Sequence, residues 1–318
     1  MSQPVEVACD ESGAEGEKLV GGNSSVFAHA SVLMDRETAT ACVAELRRRA
    51  PTPATEYRAG HVLREKHRAA LLWLLGPSGP VLGHVRVFLT DKTFYIAGKV
   101  AGLLLEDHTP RIGLDPRARQ AALTLYREGP GAFGPGLWAA FLDSFNYLLR
   151  AKNGHGITIS VAEAYLLVDE MRAARGPAGE VMQALWRARD RVEEFRERLL
   201  ADPYVFPALD PLIPAIVQAV TAWGDGRGPV VVVHDLQTTL TDERIDQMRR
   251  ILGGRMAGLR LISSGLDERL QVADVLAGIA RRAAAQELAG RPDREVAELL
   301  RPYVDPASIW AGERGPFC

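Results

Sequence analysis

The sequence predicts a mixed α/β fold, in which a sheet is flanked by helices and a large helical block is inserted between two of its strands. Three observations predict it. Val230-Val231-Val232-Val233 is an unbroken β-branched run, typical of a strand covered on both faces. Two shorter apolar runs, Val5 to Cys9 and Val26 to Met34, flank a Gly-rich stretch with Gly21-Gly22-Asn23 that reads as a hairpin connection. From about 106 to 225, apolar residues instead recur every three to four positions between Gly/Pro turns, which is a helical signature.

In order, Val5 to Cys9 ends in the polar turn Asp10-Glu11-Ser12-Gly13, and the second strand follows the hairpin. Two helical patterns, 36–49 and 61–75, are separated by Pro51-Thr52-Pro53. His84 to Leu89 is a strand candidate closing on Thr90-Asp91-Lys92, whereas Thr93 to Leu105 is ambiguous between strand and helix. Within the helical block the periodic segments are 116–128, 136–151, 160–174 and 179–200. After the valine strand, which ends at His234-Asp235, come a helix near 241–252, a strand near 258–263 and a long helix at 267–289. The organisation expected is therefore an N-terminal core part at 1–105, an insertion at 106–225, a C-terminal core part at 226–290 and a peripheral tail at 291–318.

Composition narrows the function classes. The chain has 318 residues, 47% hydrophobic and 25% charged, enough to bury a large core. No run approaches the ~18 consecutive apolar residues of a membrane span, and the N-terminus lacks a secretory layout, so a cytoplasmic protein without membrane contact is expected. Cys9, Cys42 and Cys318 form neither a disulfide framework nor a zinc pattern. A net charge of −2 gives no long-range attraction for nucleic acid, yet leaves open local binding through metal ions. There are 33 arginines against 5 lysines, so a run such as Arg47-Arg48-Arg49 reads as a solvated helix face. No P-loop, GxSxG, HExxH or strand-to-helix GxGxxG is present.

The chemistry rests on dispersed carboxylates. The helix around Leu270 to Ile279 is apolar nearly all round, so it is expected to be buried, with Gln271, Asp274, Gly278 and Arg281 in one stripe. A buried Asp274 needs a salt bridge or a metal, because an unpaired charge there costs several kcal/mol. Adjacent acids at Asp10-Glu11 repel, and a hard divalent cation is the usual compensation. Asp10, Asp91 and Asp235 each follow a strand, and sites on open α/β sheets gather beyond the carboxyl ends of strands. Among the histidines, His234 beside Asp235 is the best placed to handle a proton.

Asp10-Glu11-Ser12-Gly13 near the start, with Gln271-x-x-Asp274 in a late Ala/Gly-containing helix, resembles the domain-of-unknown-function family 3800. Glu56, in Glu56-Tyr57-Arg58, resembles that family's central glutamate, although the following Lys common there is a Tyr here. Asp91-Lys92 and His234-Asp235 resemble its strand-end aspartates. The resemblance implies a ribonuclease-H-like core that binds Mg²⁺ or Mn²⁺ through carboxylates and hydrolyses a phosphodiester with two ions. The roles it suggests are Asp10 bridging the ions and Asp274 with Asp91 or Asp235 completing their shells. Glu11 or Glu56 would ligate or orient water, and Gln271 would fix the Asp274 carboxylate. Ser12 leaves room for a phosphate, while Lys92 and Lys99 are candidate phosphate contacts. A metal-dependent nuclease acting on nucleic acid is thus the leading expectation. The alternatives are hydrolysis of a nucleotide or small phosphate ester, and a non-catalytic binding protein on the same fold. The sequence does not fix the oligomeric state.

Overall fold

The computed structural model describes residues 3–54, 56–105, 112–150, 159–201, 207–312 and 317. Among the described residues five strands form one mixed sheet: β1 (Val5–Ser12), β2 (Val26–Val32), β3 (Val85–Asp91), β4 (Val230–Asp235) and β5 (Met256–Ile262), in the order β3-β2-β1-β4-β5. β1, β2 and β3 pair antiparallel as a meander, whereas β4 and β5 add to β1 in parallel. The carboxyl ends of β1, β3, β4 and β5 consequently lie along the same rim of the sheet.

Between β2 and β3 run α1 (Arg36–Arg49), α2 (Ala59–Val62) and α3 (Arg68–Leu75). α4 (Lys92–Gly102) leads into the inserted helices α5 (Arg119–Phe133), α6 (Pro135–Leu148), α7 (Val161–Met171), α8 (Pro177–Arg187), α9 (Arg189–Ala201) and α10 (Leu212–Gly224). α11 (Asp242–Leu252) connects β4 to β5, and α12 (Glu268–Leu288) and α13 (Arg294–Leu300) follow. The start of the insertion at 106–111 and Cys318 lie outside the described residues. None of the described helices is long and apolar enough to cross a membrane.

The alternation of β1 divides the core in two. Val7 and Cys9 face the inserted block, in a cluster with Phe27, Phe141, Phe145 and Met182. Ala8 faces the other way, with Ala28 and Ala30 of β2, onto Ala273, Leu276, Ala277 and Ala280 of α12. Small side chains on both surfaces let α12 lie close over β1 and β2, which it contacts more than any other helix. At position 278 a Cβ would come within 2.3 Å of the Ala59 Cβ, so glycine is what allows α2 to nestle against α12. Full burial of side chains such as Leu276 or Phe141 stabilises the fold by about 1.5–3 kcal/mol each.

Several elements differ from the sequence reading for identifiable reasons. β1 does not turn at Asp10 but continues through Ser12, because Asp10, Glu11 and Ser12 pair with Ala30, His29 and Ala28 of β2. The chain turns only at Gly13, with φ of +83°. The ambiguous stretch after Asp91 is a helix, since the Asp91 carboxylate caps it by accepting from the backbone N–H groups of Thr93 (2.9 Å) and Phe94 (3.1 Å). The pattern at 61–75 is broken into a short helix, a 3₁₀ turn and α3. The segment after residue 291, read as a peripheral tail, lies along β3 instead and buries Tyr303, Ile309 and Trp310. Its backbone closes the outer edge of that strand: Asp305 N–H donates to Val87 O, Ile309 N–H to Leu89 O, and Asp91 N–H to Ile309 O.

Candidate functional site

A cleft of about 140 Å³ opens at the carboxyl rim of β1 and β4, lined by Asp10, Glu11, Glu56, Tyr57, Arg58, Asp235, Ser264, Gln271 and Asp274. Four carboxylates, Asp10, Glu56, Asp235 and Asp274, and the guanidinium of Arg58 thus meet in one hollow, brought from β1, the segment before α2, β4 and α12. The close seat of α12 on the alanine surface of β1 and β2 places Asp274 opposite Asp10, although the two lie 264 positions apart.

Asp10 is buried, and its Oδ1 accepts from the Glu11 N–H at 2.7 Å. Burial, followed by the charges of Glu11, Asp274 and Asp235, pushes its pKa up to about 9. Asp274 is raised to about 6, again mainly by burial, with Arg58 opposing and Asp235, Glu56 and Glu11 reinforcing. Asp235 is held by the Ser264 N–H, which donates to its Oδ1 at 2.9 Å. Asp10 therefore carries a proton at neutral pH unless a cation enters the hollow. The oxygen-only donor set suits Mg²⁺ or Mn²⁺ by charge and hardness. Among the described residues, however, no three His, Cys, Asp or Glu side chains are arranged to hold a metal ion as they stand. The match is therefore one of chemistry, without a closed coordination cage.

Gln271 does not hold the Asp274 carboxylate, the role expected of it. Its Oε1 accepts from the Tyr57 N–H and its Nε2 donates to Ser264 O, both at 3.3 Å. The side-chain amide is spent on two backbone segments, tying the loop that carries Glu56 and Arg58 to the loop that holds Asp235. Arg58 in turn pairs with Glu56 at 2.7 Å, and Glu56 and Asp274 both raise its pKa.

Glu11 follows Asp10 in the strand and so emerges on the opposite face of the sheet. Its Oε1 accepts from Gln237 Nε2, and its Oε2 lies 3.5 Å from His234 Nε2. That separation is within ion-pair reach, but neither atom has a partner in hydrogen-bond geometry. His234 is fully buried, its Nδ1 is 3.0 Å from Asp235 O, and it stacks on His29 at 5.4 Å between ring centres. Burial and the neighbouring His234 hold His29 well below the usual histidine range.

The remaining candidates are not in the cleft. Asp91 ends β3, two strands from β1, where it caps α4. Lys92 is buried in an ion pair with Glu15 at 2.7 Å, and Lys99 lies over the Tyr95 ring at 5.2 Å. Ser12 shares the Asp10 face of β1, but its Oγ accepts from Arg281 Nε at 2.9 Å. Sequence reasoning missed Arg58, Gln237 and Ser264 as site residues. For Arg58 a signal existed in its position two residues from Glu56, whereas Gln237 and Ser264 sit on loops with no pattern to mark them.

This arrangement defines an α/β protein with an acid-lined cleft at the carboxyl rim of a mixed sheet. Set against protein-family models, curated proteins and solved structures, the chain matches none of them.

Proposed function

We propose that the cleft is the active site of a Mg²⁺- or Mn²⁺-dependent phosphodiester hydrolase of nuclease type, on a ribonuclease-H-like core. The observation that carries this reading is the convergence of Asp10, Asp235 and Asp274 in a hollow where burial, and after it the neighbouring acids, push the Asp10 pKa up to about 9. A site that is costly to ionise when empty is one that a cation would stabilise. The strand order, with an antiparallel meander continued by two parallel strands, and the acids on the first strand and the last long helix support the same reading. So does the resemblance of Asp10-Glu11-Ser12-Gly13 and Gln271-x-x-Asp274 to family 3800.

In this reading Asp10, Asp235 and Asp274 would hold the metal, with Glu56 completing the set, while Glu11, on the opposite face of the sheet, would stay outside it. Bound there, divalent ions supply charge neutralisation for the phosphate oxygens and lower the pKa of water. The chain's own groups do the rest. Arg58, with its side chain largely exposed, faces an incoming phosphate as it leans on Glu56. Gln271 keeps both rim loops at a fixed distance from α12. Gln237 and His234 bracket the Glu11 carboxylate from the side of the inserted block. Asp91, occupied as a helix cap, has no part in this set.

The test follows melting temperature and cleavage of single-stranded and duplex nucleic acids under Mn²⁺ for wild type, Asp10→Ala and Asp274→Ala. A metal-dependent rise in Tm and cleavage, both lost in the variants, is expected by mass action. Full activity in both variants would show that the site lies elsewhere.

A further inference from the structure

The arginine that lines the cleft, Arg58, pairs with Glu56, and Arg269, on the same helix as Asp274, pairs with Asp267 and Glu6. Arg281 is different. It is half-buried on α12, and its guanidinium donates only to neutral hydroxyls, from Nε to Ser12 Oγ at 2.9 Å and from Nη1 to Ser24 Oγ at 3.3 Å. No acid pairs with it among the described residues.

With hydroxyl partners alone, the charge of a half-buried guanidinium is oriented but not cancelled. The backbone is shaped around it. At Gly13, where φ is +83°, a Cβ would lie 2.8 Å from Arg281 Cδ and 2.5 Å from Val26 O, so the turn after β1 leaves the space in which the arginine stem runs. Ser24 is fixed in turn by donating its hydroxyl hydrogen to Val26 O at 2.8 Å. The cation is thus braced on the turn between β1 and β2 with Nη2 uncommitted.

Its position relative to the acids follows from helix and strand geometry. Arg281 is seven residues beyond Asp274, two turns along the same stripe and about 10 Å up the helix axis. It is braced on Ser12, two residues beyond Asp10 on the same face of β1, or about 7 Å along the strand. A phosphate on Asp10 and Asp274 would be out of reach of this guanidinium. One to three nucleotides further along a strand, at about 3.4 Å per stacked nucleotide, it would be met.

We infer that Arg281, braced by Ser12 and Ser24, binds a backbone phosphate flanking the scissile one, so that the substrate class is a nucleic-acid strand rather than a mononucleotide or small ester. This rests on the phosphodiester hydrolase reading above for the reaction, but its binding component is independent of turnover. Arg281 is a substrate-binding residue that acts through the register of the strand. It gives a chain of net charge −2 a local attraction for a polyanion.

The experiment compares wild type, Arg281→Gln and Arg281→Lys in the full chain. Binding of a fluorescein-labelled oligothymidylate is followed by anisotropy in EDTA over a salt series. Hydrolysis of the same oligonucleotide and of bis(p-nitrophenyl) phosphate is followed under Mn²⁺. Arg281→Gln is expected to weaken oligonucleotide binding at least fivefold and to reduce the slope of log K against log salt by about 0.7, the value for one lost phosphate contact on a single strand. Its ratio of kcat/KM on the oligonucleotide to that on the small diester should fall at least fivefold, mostly through KM. Arg281→Lys, which keeps the charge, should recover the salt slope. An unchanged slope and ratio in Arg281→Gln, or an oligonucleotide that wild type does not bind, overturns the inference. If wild type binds the strand with the expected slope but cleaves neither substrate, the hydrolase reading fails and the phosphate contact stands. Should Arg281→Gln not fold, Arg281→Lys and Ser24→Ala decide, the second being expected to raise KM on the oligonucleotide at least twofold.

Discussion

Replacing Asp10 with asparagine should stabilise the metal-free protein, and the structure sets the size of the effect. The Asp10 carboxyl is raised from 3.8 to about 9, chiefly by burial and then by Glu11, Asp274 and Asp235. A carboxyl raised in the folded state binds more protons folded than unfolded, so stability is full below about pH 4 and declines as pH climbs toward 9. Between 3.8 and pH 7 that decline amounts to about 4 kcal/mol if Asp10 bears all of it. Part of the strain is shared with the other acids, and about 8% of the residue still meets solvent, so about 2 kcal/mol is the expected gain for Asp10→Asn at pH 7. Asparagine keeps an oxygen for the Glu11 N–H, which now bonds Asp10 Oδ1 at 2.7 Å. Urea unfolding in EDTA at pH 4, 5.5, 7 and 8.5 measures it. The two proteins should coincide at pH 4 and diverge as pH rises, whereas saturating Mn²⁺ should reverse the ranking in favour of wild type. Parallel pH profiles, or an Asn variant less stable than wild type at pH 7, would refute the claim that these acids crowd one another.

Asp274→Asn should show the same sign but level off above about pH 6, where its own carboxyl has ionised; about 1 kcal/mol of gain is expected after allowance for its partial exposure, again by urea unfolding in EDTA. Gln271→Ala frees the Tyr57 N–H and Ser264 O together, which should cost about 1–3 kcal/mol and speed hydrogen exchange at Tyr57; unchanged exchange there would contradict the clamp. Gly278→Ala pits a gain in helix propensity of about 1 kcal/mol against overpacking worth about 1–3 kcal/mol. With only 2.3 Å to the Ala59 Cβ, overpacking should win, and a raised Tm would show that α2 yields easily.

Much of the sheet was legible because its signals were local. The valine run at β4 marked a strand covered on both faces, and the apolar helix around Asp274 marked α12. What escaped depended on partners distant in sequence. Asp10 and Glu11 read as a turn because the pairing of β1 with Ala28 to Ala30 is invisible in the residues themselves. That error hid the more consequential fact that the two acids face opposite sides of the sheet. Asp91 looked equivalent to Asp235, since both end strands. Only the strand order shows that Asp235 lies beside β1 and Asp91 two strands away. Glu56 was named from the family resemblance, but the contact that fixes its loop at the cleft, from the Tyr57 N–H to the Gln271 amide, spans 214 positions. The expectation that Asp10 and Asp274 share a pocket needed neither register nor loops, only that α12 cross the rim of β1.

The strap formed by residues 304–310 has a consequence for how the protein tolerates being cut. A sheet border whose amides and carbonyls are unsatisfied is a template for another chain, and β3, apolar and extended, would be a good one. Leu89 N–H is met by the Ser308 hydroxyl at 3.1 Å, and Val87 O, Leu89 O and the Asp91 N–H by strap backbone. A fragment ending after Leu300 would keep the whole cleft in its covalent sequence yet expose that border, and would self-associate before any question of catalysis arose.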